Sequence, residues 1–321
     1  MATENPTNLQ PQRSERAAEE ETLVPLRHPG RTVGTVVVLV LLAILIRAVV
    51  TNERYEWSVV ADYFFSKSVL LGLLRTLELT ALGMVIALVL GIVLALMRQS
   101  QTRLVSWLAG AYIWFFRGTP LLVQLIFLYN ISALYPKLSL GVPFGGPSFV
   151  EADANQLLTA FTVAVVGLGL NAGAYMCEIV RGGLLSIEKG QTEAAAALGM
   201  PGSLTFRRIV FPQAFRVMIP AIGNETIGML KYTSLVSVIS LPELLYSTQI
   251  IYTRTFQTIP LLTVACLWYL LVTTILSIGQ MYLERHFGRG VARTGGRRRG
   301  RAKKAPIEPP AAAGTGWETP R

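Results

Sequence analysis

The sequence is poor in the residues from which most soluble chemistry is built. It holds two cysteines and two histidines in 321 residues, and only 15% of it is charged, against about 25% in soluble domains. Cys177 and Cys266 both lie inside apolar stretches, so neither a disulfide scaffold nor a cysteine metal motif is indicated. His28 falls in a polar N-terminal leader and His286 in a basic C-terminal segment; they are read as solvated, and no metal site is expected. The sequence contains no GxxxxGK[ST] loop, no HExxH and no GxSxG. That excludes nucleotide binding by a P-loop and leaves a membrane enzyme without a motif. No catalytic residue and no cofactor is expected.

What the chain has instead is apolar length. Hydrophobic residues make up 52% of it, gathered into stretches long enough for a bilayer core of about 30 Å. Six spans are read, at residues 32–50, 69–97, 121–135, 157–180, 217–241 and 260–283. The segment 1–31 reads as a disordered leader and 285–321 as a basic disordered tail. The first span is followed by Arg47 and then Asn52-Glu53-Arg54 rather than by a cleavage site, so it is read as a retained helix, not a signal peptide. Residues 107–116 form an aromatic, interfacial stretch. Thr119 followed by Pro120 suggests an N-cap and a first helical residue, and thus a helix restarting there. The loops 136–156 and 242–258 are read as connections. The fold class is therefore all-α, polytopic, with about six transmembrane helices.

Charge orients the set. With the N-terminus inside, the inner segments carry 22 Lys and Arg and the outer loops only Arg54, Lys67, Lys137 and Arg254. A bias of that size places both termini in the cytoplasm. The net charge of +10 is concentrated in the tail, where it reads as an anchor on anionic headgroups rather than a nucleic-acid surface.

Charged groups inside spans are costly and face a cavity or a partner. Arg75 and Glu78 are three apart on one helical face, so they neutralise each other or line a path. Glu178 and Arg181 are spaced for an interfacial pair, and Asn171 shares the Glu178 face. Asn224 and Glu225 are read as helix contacts near the inner side. Glu225 and Lys231 are six apart, about 240° around the helix, and cannot pair. Lys231 then meets either a carboxylate on a neighbouring helix or a polar solute; Met229 and Thr233 are placed near it. The run Gly167-Leu168-Gly169-Leu170-Asn171-Ala172 matches a relaxed dinucleotide fingerprint, but it lies mid-span with no strand before it and reads as small-residue helix packing.

One polar segment, 181–216, is too hydrophilic to span. Within it Glu193-Ala194-Ala195-Ala196-Ala197 favours a helix of about two turns, capped by Gln191 or Thr192 and stopped by Gly199 and Pro201. Helices that short are marginal alone, so a partner surface is expected to hold this one. Its pattern of Glu193-Ala194-Ala195, Gly199, Ile209 and Phe211-Pro212 resembles the EAA loop of ABC importer permeases. The family ends this pattern Ile-x-Leu-Pro, so Phe211 is an apolar departure. Phe116-Arg117-Gly118-Thr119-Pro120-Leu121-Leu122-Val123-Gln124, Gly72 through Thr80 and Lys231-Tyr232-Thr233-Ser234-Leu235 are similar to the polar amino-acid uptake branch, the histidine/glutamine permease type.

The resemblance covers residues 69–284 and leaves 32–50 as an additional helix. It implies a MetI-like type I ABC importer permease fold with a cytoplasmic coupling helix, in a bacterial inner membrane. It further implies coupling through Glu193, Ala194, Ala195, Gly199, Ile209 and Pro212 to two ATPase subunits on separate chains. An extracytoplasmic substrate-binding protein and a second permease subunit, identical or paralogous, complete the implied assembly. The candidate substrate pathway comprises Lys231, Glu78, Asn171, Met229 and Thr233. An ATP-independent secondary transporter or channel for small polar solutes is the competing class.

Overall fold

The computed structural model describes residues 29–141 and 148–287. The leader 1–28 and the tail 288–321 lie outside the described residues. The chain divides into two units, 1–55 and 56–321. The first contributes α1 (Pro29–Thr51) and a 3-10 turn, Glu53–Tyr55. From Val33 to Val50 α1 is Val-, Leu- and Ile-rich around its whole circumference, the pattern of a helix with apolar surroundings on every side.

Among its described residues, the regular elements of the second unit are helical apart from one hairpin. In order it contains α2 (Trp57–Phe64), α3 (Lys67–Arg98), α4 (Arg103–Gly118), α5 (Leu121–Tyr129), a 3-10 turn (Ile131–Ala133), β1 (Lys137–Gly141) and β2 (Ser148–Asp153). There follow α6 (Ala154–Leu157), α7 (Ala160–Leu185), α8 (Lys189–Ala197), α9 (Gly202–Thr205) and a π-helical turn, Phe206–Val210. The last elements are α10 (Phe211–Tyr232), a 3-10 segment (Thr233–Ile239), α11 (Leu244–Thr255) and α12 (Thr258–Phe287).

Four helices are long and apolar enough to cross a bilayer alone: α1, α3, α7 and α12. Two bent pairs qualify together, α4 with α5 at 102° and the stretch Gly202–Ile239 with α11 at 44°. Counted as one span each, they give six, but the third includes α4, read from the sequence as interfacial, and ends at Tyr129 rather than 135, and the fifth reaches well beyond 217–241 at both ends. At 32 residues, α3 is about 48 Å long, so it tilts or projects beyond the hydrocarbon.

Several local expectations need correction. Thr119 does not cap α5; it closes α4, its Oγ1 donating to the Phe115 carbonyl at 2.8 Å. Pro120 has an extended ψ of 133° and stands before the first residue of α5, so the chain turns sharply at this point. The connection 136–156 contains the antiparallel hairpin, with Lys137 opposite Asp153 and Ser139 opposite Glu151. The connection 242–258 contains all of α11.

Helix α3 runs parallel to α7, their contacts advancing in register. A Cβ on Gly169 would lie 2.6 Å from Ile86 Cγ2, and one on Gly91 would lie 2.6 Å from Met176 Cβ. Small residues let these backbones approach closely, which accounts for the Gly167–Ala172 run. Around the seam, Leu79, Leu125, Leu168, Met229 and Val236 form one buried cluster, and Leu94, Met176, Ala214 and Met218 belong to a second.

Candidate functional site

The polar segment 186–210 builds a protruding unit. Helix α8 begins at Lys189, with Glu188 in the N-cap position making no side-chain cap bond. Neither Gln191 nor Thr192 caps it: Thr192 sits in the first turn and returns its hydroxyl to the Lys189 carbonyl at 2.7 Å. The C-terminal end closes as expected. Gly199 adopts φ +72°, its N–H donates to Ala196 O at 2.9 Å, and the Met200 N–H donates to Ala195 O at 3.0 Å. These two bonds make a Schellman motif. Ala195 is buried, whereas Glu193, Ala194 and Ala196 are exposed and Leu198 is 81% exposed. The EAA residues thus divide. Ala195 holds α8 to its own chain, and Glu193 with Ala194 faces outward.

Ile209 lies half-buried in the π turn and Pro212 at the second position of α10. Proline has no N–H to donate, so the backbone ladder is interrupted where the π turn passes into α10. The Ile209 carbonyl accepts from Gln213 Nε2 at 3.0 Å. Helix α8 packs against this π turn, and α10 continues from it without a linker.

A second polar constellation lies at the α4–α5 bend. Gln124 Nε2 donates to Phe116 O, Thr119 O and Thr119 Oγ1, at 3.0, 3.1 and 2.7 Å. Asn171 Nδ2, from α7, donates to the same Phe116 carbonyl and to Gln124 Oε1, both at 3.1 Å. Carbonyls released by the break are thereby satisfied, as an apolar setting demands. Beside this lash is a cavity of about 520 Å³ lined by Arg117, Thr119, Asn171, Tyr175 and Tyr232 among others. The Arg117 guanidinium lies over the Tyr175 ring at 5.3 Å from its centroid, inside the reach of about 6 Å for a cation–π contact.

The remaining pathway candidates separate. Lys231 is exposed on this chain, while Met229 is 1% exposed and Thr233 fully buried. Met229 packs under α3, its Cε 3.3 Å from a Cβ built on Gly83, and Thr233 donates to Leu230 O at 2.7 Å. Two residues along a helix turn about 200°, so both point away from the Lys231 face. Arg75 and Glu78 do pair, at 2.7 Å with 44% and 42% of each side chain exposed. Arg75 also lies over Phe161 at 5.0 Å. Glu178 pairs with Arg181 at 2.7 Å.

Sequence reasoning passed over Glu243. It is fully buried and caps α11, accepting from Leu245 N at 3.0 Å and Tyr246 N at 2.7 Å. Tyr269 Oη at 2.9 Å and Thr76 Oγ1 at 3.4 Å add donors from α12 and α3. The signal was an acidic residue after proline at the head of a helical run, the N-cap signature. Arg117, Tyr175, Tyr232 and Leu198 were likewise not singled out. Among the described residues no group of three or more His, Cys, Asp or Glu could hold a metal ion.

With up to five membrane-length helices or bent helix pairs, a protruding helix–turn unit and polar groups at the α4–α5 break, the second unit has the form of a polytopic membrane protein. The chain belongs to the binding-protein-dependent transport system inner membrane components, the family matched by residues 87–289. It is 46% identical over 273 residues to the arginine transport system permease protein ArgU of Corynebacterium glutamicum, covering 84% of each chain. It is 38% identical to the nopaline transport system permease protein NocM of Agrobacterium fabrum, covering 69% of this chain and 88% of that one. A crystal structure of an amino acid ABC transporter with histidines contains a chain 33% identical to this one. The match has a TM-score of 0.61 and covers 70% of this chain and 97% of that one. The fold is accordingly that of an ABC transporter permease, and the protein is an inner membrane component of a binding-protein-dependent transport system.

Proposed function

We propose that the protein imports polar or charged amino acids delivered by an extracytoplasmic binding protein, driven by a separate ATPase that seats on α8. The observation that carries this reading is the shape of α8. It has nine residues with an outward face of Glu193, Ala194 and the exposed Leu198, closed by a left-handed Gly199. Small side chains permit close seating in a groove, Leu198 offers an apolar contact, and Ile209 with Pro212 holds the base against α10.

In this reading two ATPases serve two permease subunits, and both termini face the cytoplasm. Residues 69–284 form the permease domain proper, 181–216 its coupling loop and 32–50 an additional helix. The pathway follows the exposed groups Lys231 and Glu78 and the buried Asn171, with Met229 and Thr233 backing the Lys231 turn from the core. A zwitterion leaving water needs fixed charged and polar partners, and these residues supply them. The names of the relatives, arginine and nopaline, support amino acids and their derivatives as the substrate class.

The test is affinity capture of the detergent-solubilised protein with identification of its partners, alongside labelling of single cysteines at 191–199 in intact cells. An ATPase in the captured complex and protection of 191–199 from external reagents are expected. Capture with no nucleotide-binding subunit would instead favour a secondary carrier or channel. External labelling would remove α8 from any cytoplasmic motor.

A further inference from the structure

Away from these sites, α10 and α12 leave an apolar groove between them of about 660 Å³. Its walls include Phe215, Ile219 and Ile227 from α10 and Ile275, Gly279 and Leu283 from α12. The nearby polar groups are spent on one another. Gln280 Nε2 donates to Pro220 O at 3.2 Å, Asn224 Oδ1 at 3.0 Å and Glu284 Oε1 at 2.8 Å. Gly279 meets nothing within 4 Å where a Cβ would stand, so the groove is open at that point.

The length is informative. Phe215 to Ile227, and Ile275 to Phe287, each cover about 18 Å of helix, close to the roughly 15 Å depth of one leaflet and well short of a full crossing. A second polytopic chain would present an apolar face about twice as long. Through Gly279 and Leu283 the groove joins a polar niche of about 710 Å³ formed with Tyr282, Arg285 and His286. Arg216 is exposed beside Phe215 at the same end. The sequence then continues with Arg289, Arg293, Arg297, Arg298, Arg299, Arg301, Lys303 and Lys304, and with no acidic residue before Glu308.

An apolar slot of one-leaflet depth ending in a cationic niche has the form of an amphiphile's complement. We propose that the α10–α12 groove is a binding site for a single anionic phospholipid, one acyl chain lying against Gly279 and the phosphate meeting Arg285 and His286. Glu284 does not oppose the phosphate, because it is turned onto Gln280. The inference stands apart from the coupling reading, since lipid retention is measured without ATPase or transport.

The test uses the full-length protein in detergent, titrated with dioleoyl phosphatidylglycerol or dioleoyl phosphatidylcholine and examined by native mass spectrometry. Wild type is expected to retain phosphatidylglycerol preferentially. Arg285→Gln should weaken that lipid about fivefold, the worth of one basic residue near an anionic surface, and leave phosphatidylcholine unchanged. Gly279→Phe fills the open groove and should abolish preferential retention at an unchanged melting temperature; Ile275→Trp repeats the block from a second position should the first variant fold poorly. Equal retention of both lipids by wild type overturns the proposal, as does wild-type retention by both filled variants. Dissociation of a permease dimer by the filled variants also overturns it, by showing that a second copy occupies the groove.

Discussion

Replacing Gly199 with alanine isolates one backbone angle. A Cβ at this position meets nothing within 4 Å, yet φ is +72°, so alanine adds no clash and only the left-handed penalty. For an L-residue that penalty is about 1–2 kcal/mol, a factor of about 5–30 in the population of the closed terminus. Both bonds that end α8, from Gly199 N and Met200 N, require this conformation. The cost falls on α8 rather than on the bundle, because the buried clusters between the long helices contain none of these groups. In detergent, Gly199→Ala should therefore melt with wild type while its affinity for the ATPase, measured by titration of purified subunits, drops about 5–30-fold. Gly199→Asn should lose less, since asparagine visits the left-handed region more readily. Gly199→Pro, which cannot adopt positive φ, should abolish uptake. Wild-type ATPase affinity in the alanine variant would refute the reasoning, for it would mean that the closed end of α8 is not what the motor reads.

Glu243→Ala removes the acceptor for four donors on three helices, and charged hydrogen bonds contribute about 1.5–3 kcal/mol each; a large fall in thermal stability is expected, with Thr76→Val producing a smaller one. Asn171→Leu leaves the Phe116 carbonyl and Gln124 Oε1 each with one donor fewer, a cost of about 1–3 kcal/mol. It should reduce uptake by loosening the α4–α5 bend, read as increased hydrogen exchange at residues 116–124. Lys231→Ala changes an exposed side chain and should leave melting within about 0.5 kcal/mol of wild type while lowering uptake; unchanged uptake would take Lys231 off the pathway.

How much of this was legible depended on which interactions are local. Four apolar segments and the Gly199 stop are written in contiguous residues, and hydropathy with turn chemistry recovers them; the two bent spans are recovered only in part. The start of α11 was legible in the local N-cap signature of Pro242-Glu243, but not that Glu243 is buried, because its bonds to Thr76 and Tyr269 come from far off in sequence. The hairpin of 137–153 depends on cross-strand pairing that no short-range period announces. Thr119 was misassigned as a cap for a similar reason. A hydroxyl before proline suits a helix start, but here the preceding turn offered the Phe115 carbonyl first. For the pathway, proximity in sequence misled, since Met229 and Thr233 flank Lys231 along the chain yet stand across the helix from it.

These assignments bear on how movement at α8 reaches the membrane. Between the end of α8 at Ala197 and the end of α10 at Tyr232, only Leu198–Pro201 lies outside helical geometry. The π turn accepts the packing of α8 on one side and feeds α10 directly on the other, the Phe211 N–H donating to Phe206 O. A π turn closes i→i+5 bonds and often marks functional positions; if α8 docks a motor as proposed, a shift in register at this turn is the expected unit of movement. At the far end of α10, the buried Met229 packs in the same cluster as Leu79 and Ala87 of α3, so a displacement of α10 would be felt by α3. Movement imposed on α8 would thus reach the α3–α7 pair through packed side chains, and the Lys231 face, free of such packing on this chain, is where the consequence would be felt by a solute.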